Sequence, residues 1–347
     1  MRGNLPAIVA ALLFALASIA QVHAGVKIVT YEGAWGDTVA RVAGSVPVPG
    51  GASVLRYDGS LASTALSEAD VLDAGTGAAT HACDEGPALP VPPEWHAPTS
   101  GNAALGGIAD DCGTGYLVTS LIVASVPGGA PDWPAFLGNS GHGGGRGLPY
   151  GPRGTLELAL MAQGVAPGDV YSRLATREGE DMAYAALDAM AATHDLFFWK
   201  RPQEAIVWLI DGRVTAAAVP SPHAARAVIE GAPLSLGFDG QIYRIQRLVL
   251  LATHPARQEA ALAVMAHFLT RETQAILAGS LLAGPVSNPA FDLIPQATAQ
   301  LLPTARLHKV ATRGLATSHD FWTRHGSRLA ERHSRWLGRV EARAQAR

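Results

Sequence analysis

Four side chains suit the capture of a small charged molecule: the arginines Arg226 and Arg247 and the aromatics Tyr31 and Trp35. A guanidinium takes a carboxylate through two parallel N–H···O bonds, and a helix N-terminus adds free backbone donors. Arg226 follows Ser221-Pro222, which reads as a helix opening and puts it in the first turns. Tyr31 and Trp35 lie in the loop after an apolar segment, where they would form an aromatic wall or pack into the core. Either arginine taken singly fits a surface ion pair better.

Reaction chemistry has less support. His142-Gly-Gly-Gly145 copies an oxyanion loop, but no Gly-x-Ser-x-Gly elbow supplies a nucleophile. Gly75-Thr-Gly77-Ala-Ala-Thr80 follows a strand as a dinucleotide loop would, yet Thr80 stands where the third glycine belongs. An acid–base pair would have to come from Asp73 and Glu85, and neither has a base or metal beside it in sequence. None of the 12 histidines forms a His-x-x-x-His pair, and Cys83 and Cys112 form no Cys-x-x-Cys. No catalytic residue, metal or cofactor is expected, and no Walker A loop occurs, so ATP hydrolysis would belong to a separate subunit.

The N-terminus indicates export. Arg2 precedes an apolar run, Ala7 to Ala20, too short to span a bilayer, and Val22-His-Ala24 fits the small-residue rule for cleavage. Residues 1–24 read as a signal peptide, with an uncleaved anchor as the alternative. In an exported chain two lone cysteines favour a disulfide, Cys83–Cys112. About 320 residues would remain, more than one core usually serves. A formal charge of −3 argues against nucleic acid as a partner. Only Lys27, Lys200 and Lys309 are lysines, a bias we read as genomic.

Short strands alternating with amphipathic helices indicate an α/β architecture. Strands are expected at Val26 to Tyr31, Val71 to Ala74, Tyr116 to Ser125, Val214 to Val219 and Arg247 to Ala252. Helices are expected from Thr155 to Gly164, from Glu178 to Asp195, and from Gln258 to Leu277 with Gly279 as C-cap. Near the C-terminus Arg324, Arg328, Arg332, Arg335, Arg339, Arg343 and Arg347 recur every three or four residues on one helical face. That stripe fits a solvated face beside Leu329, Trp336 and Val340, or attraction to anionic lipid or a membrane partner.

From Pro131 to Tyr171 the chain also resembles a known family. Trp133, Phe136, Gly145, Arg146, Leu156, Glu157, Ala159, Leu160, Gly164, Val165, Pro167, Val170 and Tyr171 stand where extracellular solute-binding proteins of bacterial ABC importers, in the spermidine/putrescine branch, carry their pattern. Ala-Cys-Asp-Glu-Gly at 82–86, Cys-Gly-Thr-Gly at 112–115, Phe321-Trp322 and Arg335-Trp336-Leu337 look like further pieces of it. The resemblance implies a type II periplasmic-binding-protein fold of two lobes on two hinge strands. Lobe 1 would span 25–120 and 248–305 and lobe 2 would span 121–247, with crossings near 120 and 248 and a helical segment, 306–347, packed on the lobes. It further implies a periplasmic receptor that takes a small-molecule ligand to an inner-membrane ABC permease.

At the pocket the resemblance thins. Polyamine binders carry an aspartate and, two residues on, a tryptophan; an ungapped match puts Ile245 and Arg247 there, with Tyr243 in the same segment. Two like charges ~4 Å apart repel by about 4 kcal/mol at an effective dielectric near 20. The ligand set expected is therefore Tyr31, Trp35, Arg226, Tyr243 and Arg247, around an anionic solute. A scaffold or sensor of the same fold that has lost ligand binding is the rival reading.

Overall fold

A computed structural model describes residues 25–57, 66–84, 86–95, 109–110, 112–138, 144–252, 255–305 and 313–345. The expected signal peptide, Glu85, His142 and Arg347 lie outside them. The chain divides into two units: unit 1 is Met1–Pro98, Gly107–Tyr116 and Gln246–Leu281, and unit 2 is Thr99–Gly106, Leu117–Ile245 and Leu282–Arg347.

In unit 1 the β-branched run Val26–Tyr31 forms β1, flanked by β2 (Ala52–Tyr57) and β3 (Val71–Gly75), all parallel. Antiparallel to β3 runs the end of β8 (Ser235–Leu250), in the register Val71↔Leu250 and Gly75↔Gln246. Each parallel strand feeds a helix where the next residues allow it: β1 leads into α1 (Gly33–Ala43) and β3 into α2 (Thr76–Asp84). Gly33 makes the first turn possible with φ +70°, and at Gly36 a Cβ would lie 2.0 Å from the Tyr31 carbonyl oxygen. Val29, Leu72, Ala74, Ala79, Ala82 and Val249 close the core. The Cys83–Cys112 disulfide, with its Cα atoms 5.8 Å apart, ties α2 to the residue before β4 (Gly113–Ser125).

Unit 2 is built on the strand order β4, β7 (Val214–Pro220), β5 (Gly145–Pro149) and β6 (Leu196–Trp199). β7, β5 and β6 are mutually parallel, and β4 is antiparallel to β7. They alternate with α3 (Thr155–Ala162), α4 (Arg177–Thr193), α5 (Pro202–Ile210) and α6 (Ser221–Ile229). The residues carrying the sequence resemblance are structural here. Arg146, 1% exposed, donates to the Phe136 carbonyl at 3.0 Å and to Thr215 Oγ1 at 2.6 Å. Glu157 caps α3 by accepting from the Gly154 N–H at 2.7 Å and also accepts from Trp322 Nε1 at 2.8 Å and the Tyr171 hydroxyl at 3.2 Å.

Three expectations change. The single helix from Gln258 to Leu277 is two, α7 (Pro255–Leu269) and α8 (Arg271–Leu281), because Thr270 accepts the Thr273 N–H on its hydroxyl and starts a second helix; Gly279 lies inside α8 and caps nothing. The strand from Arg247 to Ala252 is the end of the longer β8 and stops at Leu250. Residues 282–305, assigned by sequence to the first lobe, lie in unit 2, where Gly284 and Pro285 pair with Val118 and Leu117 and Thr304 donates to the Pro285 carbonyl. The chain passes between the units at Tyr116–Leu117, Ile245–Gln246 and Leu281–Leu282. The arginine stripe is carried by α9 (His319–Gln345), whose Trp322, Leu329, Trp336 and Val340 are buried in the core of unit 2.

Candidate functional site

In open α/β sheets ligands collect at the C-terminal ends of the parallel strands, beside the helix N-termini that follow. In unit 1 those ends carry Tyr31, Tyr57 and Gly75, and one carboxylate organises the surroundings. Asp73 is completely buried. Its Oδ1 accepts from the Tyr116 hydroxyl at 2.7 Å and from Gln246 Nε2 at 2.8 Å. Its Oδ2 accepts from the Thr30 hydroxyl at 2.6 Å and the Trp35 indole N–H at 2.9 Å. Burial raises the Asp73 pKa, and the four hydrogen bonds oppose that rise. Burial, reinforced by the Asp73 charge, drives the Tyr116 phenol well above its ordinary range, so Tyr116 is a neutral donor. A carboxylate saturated four ways by neutral groups positions side chains; it does not shuttle protons.

What Asp73 positions is an aromatic wall. Trp35, half-buried, is held by its indole N–H and meets the Tyr31 ring edge-on with centroids 6.2 Å apart. Tyr31 packs in turn on Tyr57 at 4.9 Å, and its hydroxyl accepts from the Gly75 N–H at 2.7 Å, at the entry to α2.

The strand ends of unit 2 carry different chemistry. Tyr150 follows β5 and is 42% exposed; Lys200 follows β6, with its Nζ 4.5 Å from the centre of the Tyr150 ring. Glu204 accepts from the Lys200 and Arg201 N–H groups at 2.9 and 3.2 Å, which fixes the turn into α5. After β7, Ser221 opens α6 and accepts the Ser120 N–H on its hydroxyl at 3.2 Å. His223 in the first turn is half-buried, and burial lowers its pKa.

The five residues expected to bind ligand therefore separate. Tyr31 and Trp35 come together as a wall in unit 1. Arg247 is also in unit 1 but 3% exposed, donating to the Gly113 carbonyl at 3.0 Å. Side chains alternate along a strand, so Gln246 turns toward Asp73 and Arg247 toward the opposite face. Arg226 is exposed and lies in the last turn of α6: the helix opens at Ser221 as expected but runs only to Ile229, so its sixth residue is already near the C-terminal end. Tyr243 is buried in β8, its carbonyl accepting from the Thr317 N–H at 2.9 Å. Arg226 and Tyr243 belong to unit 2. Sequence reasoning did not bring Gln246 to Asp73, nor Lys200 to the Tyr150 ring.

No group of three or more potential metal ligands occurs among the described residues. No described helix is long and apolar enough to cross a membrane.

Among solved structures, an ABC transporter substrate-binding protein from Bradyrhizobium japonicum is 23% identical, with 90% of this chain and 99% of that one covered and a TM-score of 0.69. The fold is that of ABC-transporter substrate-binding proteins. A GABA receptor matches equally well, at 18% identity, 90% and 97% coverage and a TM-score of 0.70. So does a spermidine/putrescine substrate-binding protein from Streptococcus pneumoniae, at 14% identity, 90% and 99% coverage and 0.69, so the substrate-binding fold does not single out the polyamine branch. In sequence, the chain is similar to the gamma-aminobutyric acid-binding protein of Pseudomonas aeruginosa, 29% identical over 237 residues, which are 67% of this chain and 66% of that protein. No protein-family profile matches the chain.

Proposed function

We propose that the protein is the solute-binding component of an ABC importer, exported by the segment 1–24, and that its solute is a small amino acid carrying a carboxylate and an ammonium group. The observation that carries this reading is the wall of Tyr31 and Trp35, clamped by the buried Asp73 at the strand ends of unit 1. Aromatic faces attract an ammonium group, and the first N–H groups of α1 and α2 lie beside that wall. In the same unit, a helix N-terminus offers free backbone N–H donors to a carboxylate. The similarity to a gamma-aminobutyric acid-binding protein supports the same solute class. The solute passes to an inner-membrane permease with its own ATPase, and the chain itself turns nothing over.

Calorimetry with gamma-aminobutyrate, other amino acids, putrescine and spermidine tests the proposal. An amino acid is expected to bind, and at a hundredfold excess over Kd to stabilise the fold by about 2.7 kcal/mol. Tight spermidine binding without amino acid binding would restore the polyamine reading, and no stabilisation across the panel would favour a scaffold.

A further inference from the structure

A second charged site lies in unit 2, away from the strand ends. α4 and α9 enclose a cavity of about 370 Å³ lined by Arg177, Arg328, Arg332, Arg335 and Arg339 against only two carboxylates, Glu180 and Glu331, over Tyr184 and Trp336. The buried Glu180 is committed: Arg328 Nη1 donates to one of its oxygens and Arg332 Nη1 to the other at 2.8 Å, while Arg332 also reaches Asp181. Arg332 lies over the Tyr184 ring, 4.6 Å from its centre. Arg335 and Arg339, one turn apart and exposed, make no ion pair within 4 Å among the described residues. The Tyr184 hydroxyl, on a residue 4% exposed, has no hydrogen-bond partner there either. A surplus of guanidinium and an unused buried hydroxyl line the same concave space.

We propose that this cavity binds a phosphate group carried on a small polar molecule or a lipid headgroup. Planar guanidinium forks match the tetrahedral oxygens of phosphate, and a dianion balances the surplus charge better than one carboxylate would. Arg335 and Arg339 supply the forks, Tyr184 a hydroxyl donor, and the remaining volume holds the carrier. The site is independent of the solute reading, since none of its residues lies at the strand ends.

Calorimetry of the full chain with glycerol 3-phosphate, against glycerol and acetate at an ionic strength of about 0.15 M, where surface attraction is screened beyond about 8 Å, tests the free form. Co-sedimentation with phosphatidylglycerol vesicles, with phosphatidylcholine vesicles as control, tests the lipid form. At least one probe is expected to bind saturably. Arg335→Gln/Arg339→Gln should weaken that binding at least tenfold, and Glu331→Gln should strengthen it. Solute binding and the melting temperature should stay unchanged in the double variant, which separates this site from the solute site. If neither probe binds, or if binding is the same in the double variant or matched by acetate, the proposal falls.

Discussion

The indole N–H of Trp35 donates to Asp73 at 2.9 Å, so a half-exposed ring is held by a carboxylate that never reaches solvent. Asp73→Asn keeps the shape but turns an N–H toward donors that are themselves N–H or O–H groups. The resulting buried mismatch should cost about 2–4 kcal/mol. Urea unfolding checks the stability, and calorimetry should show weaker solute binding even where the variant is fully folded, because Trp35 loses its anchor. Unchanged affinity in the folded variant would separate Asp73 from the site.

Trp35→Ala should lower solute affinity at least tenfold and, by taking one donor from the buried Asp73 carboxylate, also cost some stability. Arg247→Ala should differ in its effect on affinity. Removing a buried guanidinium that holds the Gly113 carbonyl should lower stability by about 1–3 kcal/mol while affinity survives. Measuring Kd and melting temperature for both variants tests the contrast.

The Cys83–Cys112 bond closes a loop with a sequence separation of 29. In the chain-entropy model such a loop contributes about 3.6 kcal/mol. Reduction, or Cys83→Ala with Cys112→Ala, should lower unfolding stability by that order, and reductant should have no further effect on the double variant.

His333 is buried against Tyr184 and Trp336, with ring centroids at 6.1 and 5.2 Å. Burial, partly offset by the backbone of Tyr150, lowers its pKa from 6.5 to about 4. The unfolded chain therefore binds this proton first, so its contribution is intact above pH 6.5 and is lost as the pH falls toward 4. That window represents about 3 kcal/mol. His333→Phe should flatten the slope of unfolding free energy between pH 6.5 and 4 by up to one proton, read from denaturant melts across that range.

Local periodicity was enough to read β1 to its last residue, the helices that became α3 and α4, and the α/β class, because burial of one face imposes its period on the residues themselves. Two lone cysteines, in a chain expected to be exported, were enough to read the disulfide. Tertiary structure alone decided the site. Thr30, Trp35, Asp73, Tyr116 and Gln246 meet at one carboxylate although they span more than half the chain, and only the pairing of β3 with β8 brings Gln246 there. Sequence could propose Arg247 as a ligand group, but the face a strand residue occupies depends on register, and a shift of one residue exchanges Gln246 for Arg247. Arg226 follows a similar logic, since the short length of α6 puts it in the last turn instead of beside the helix N-terminus.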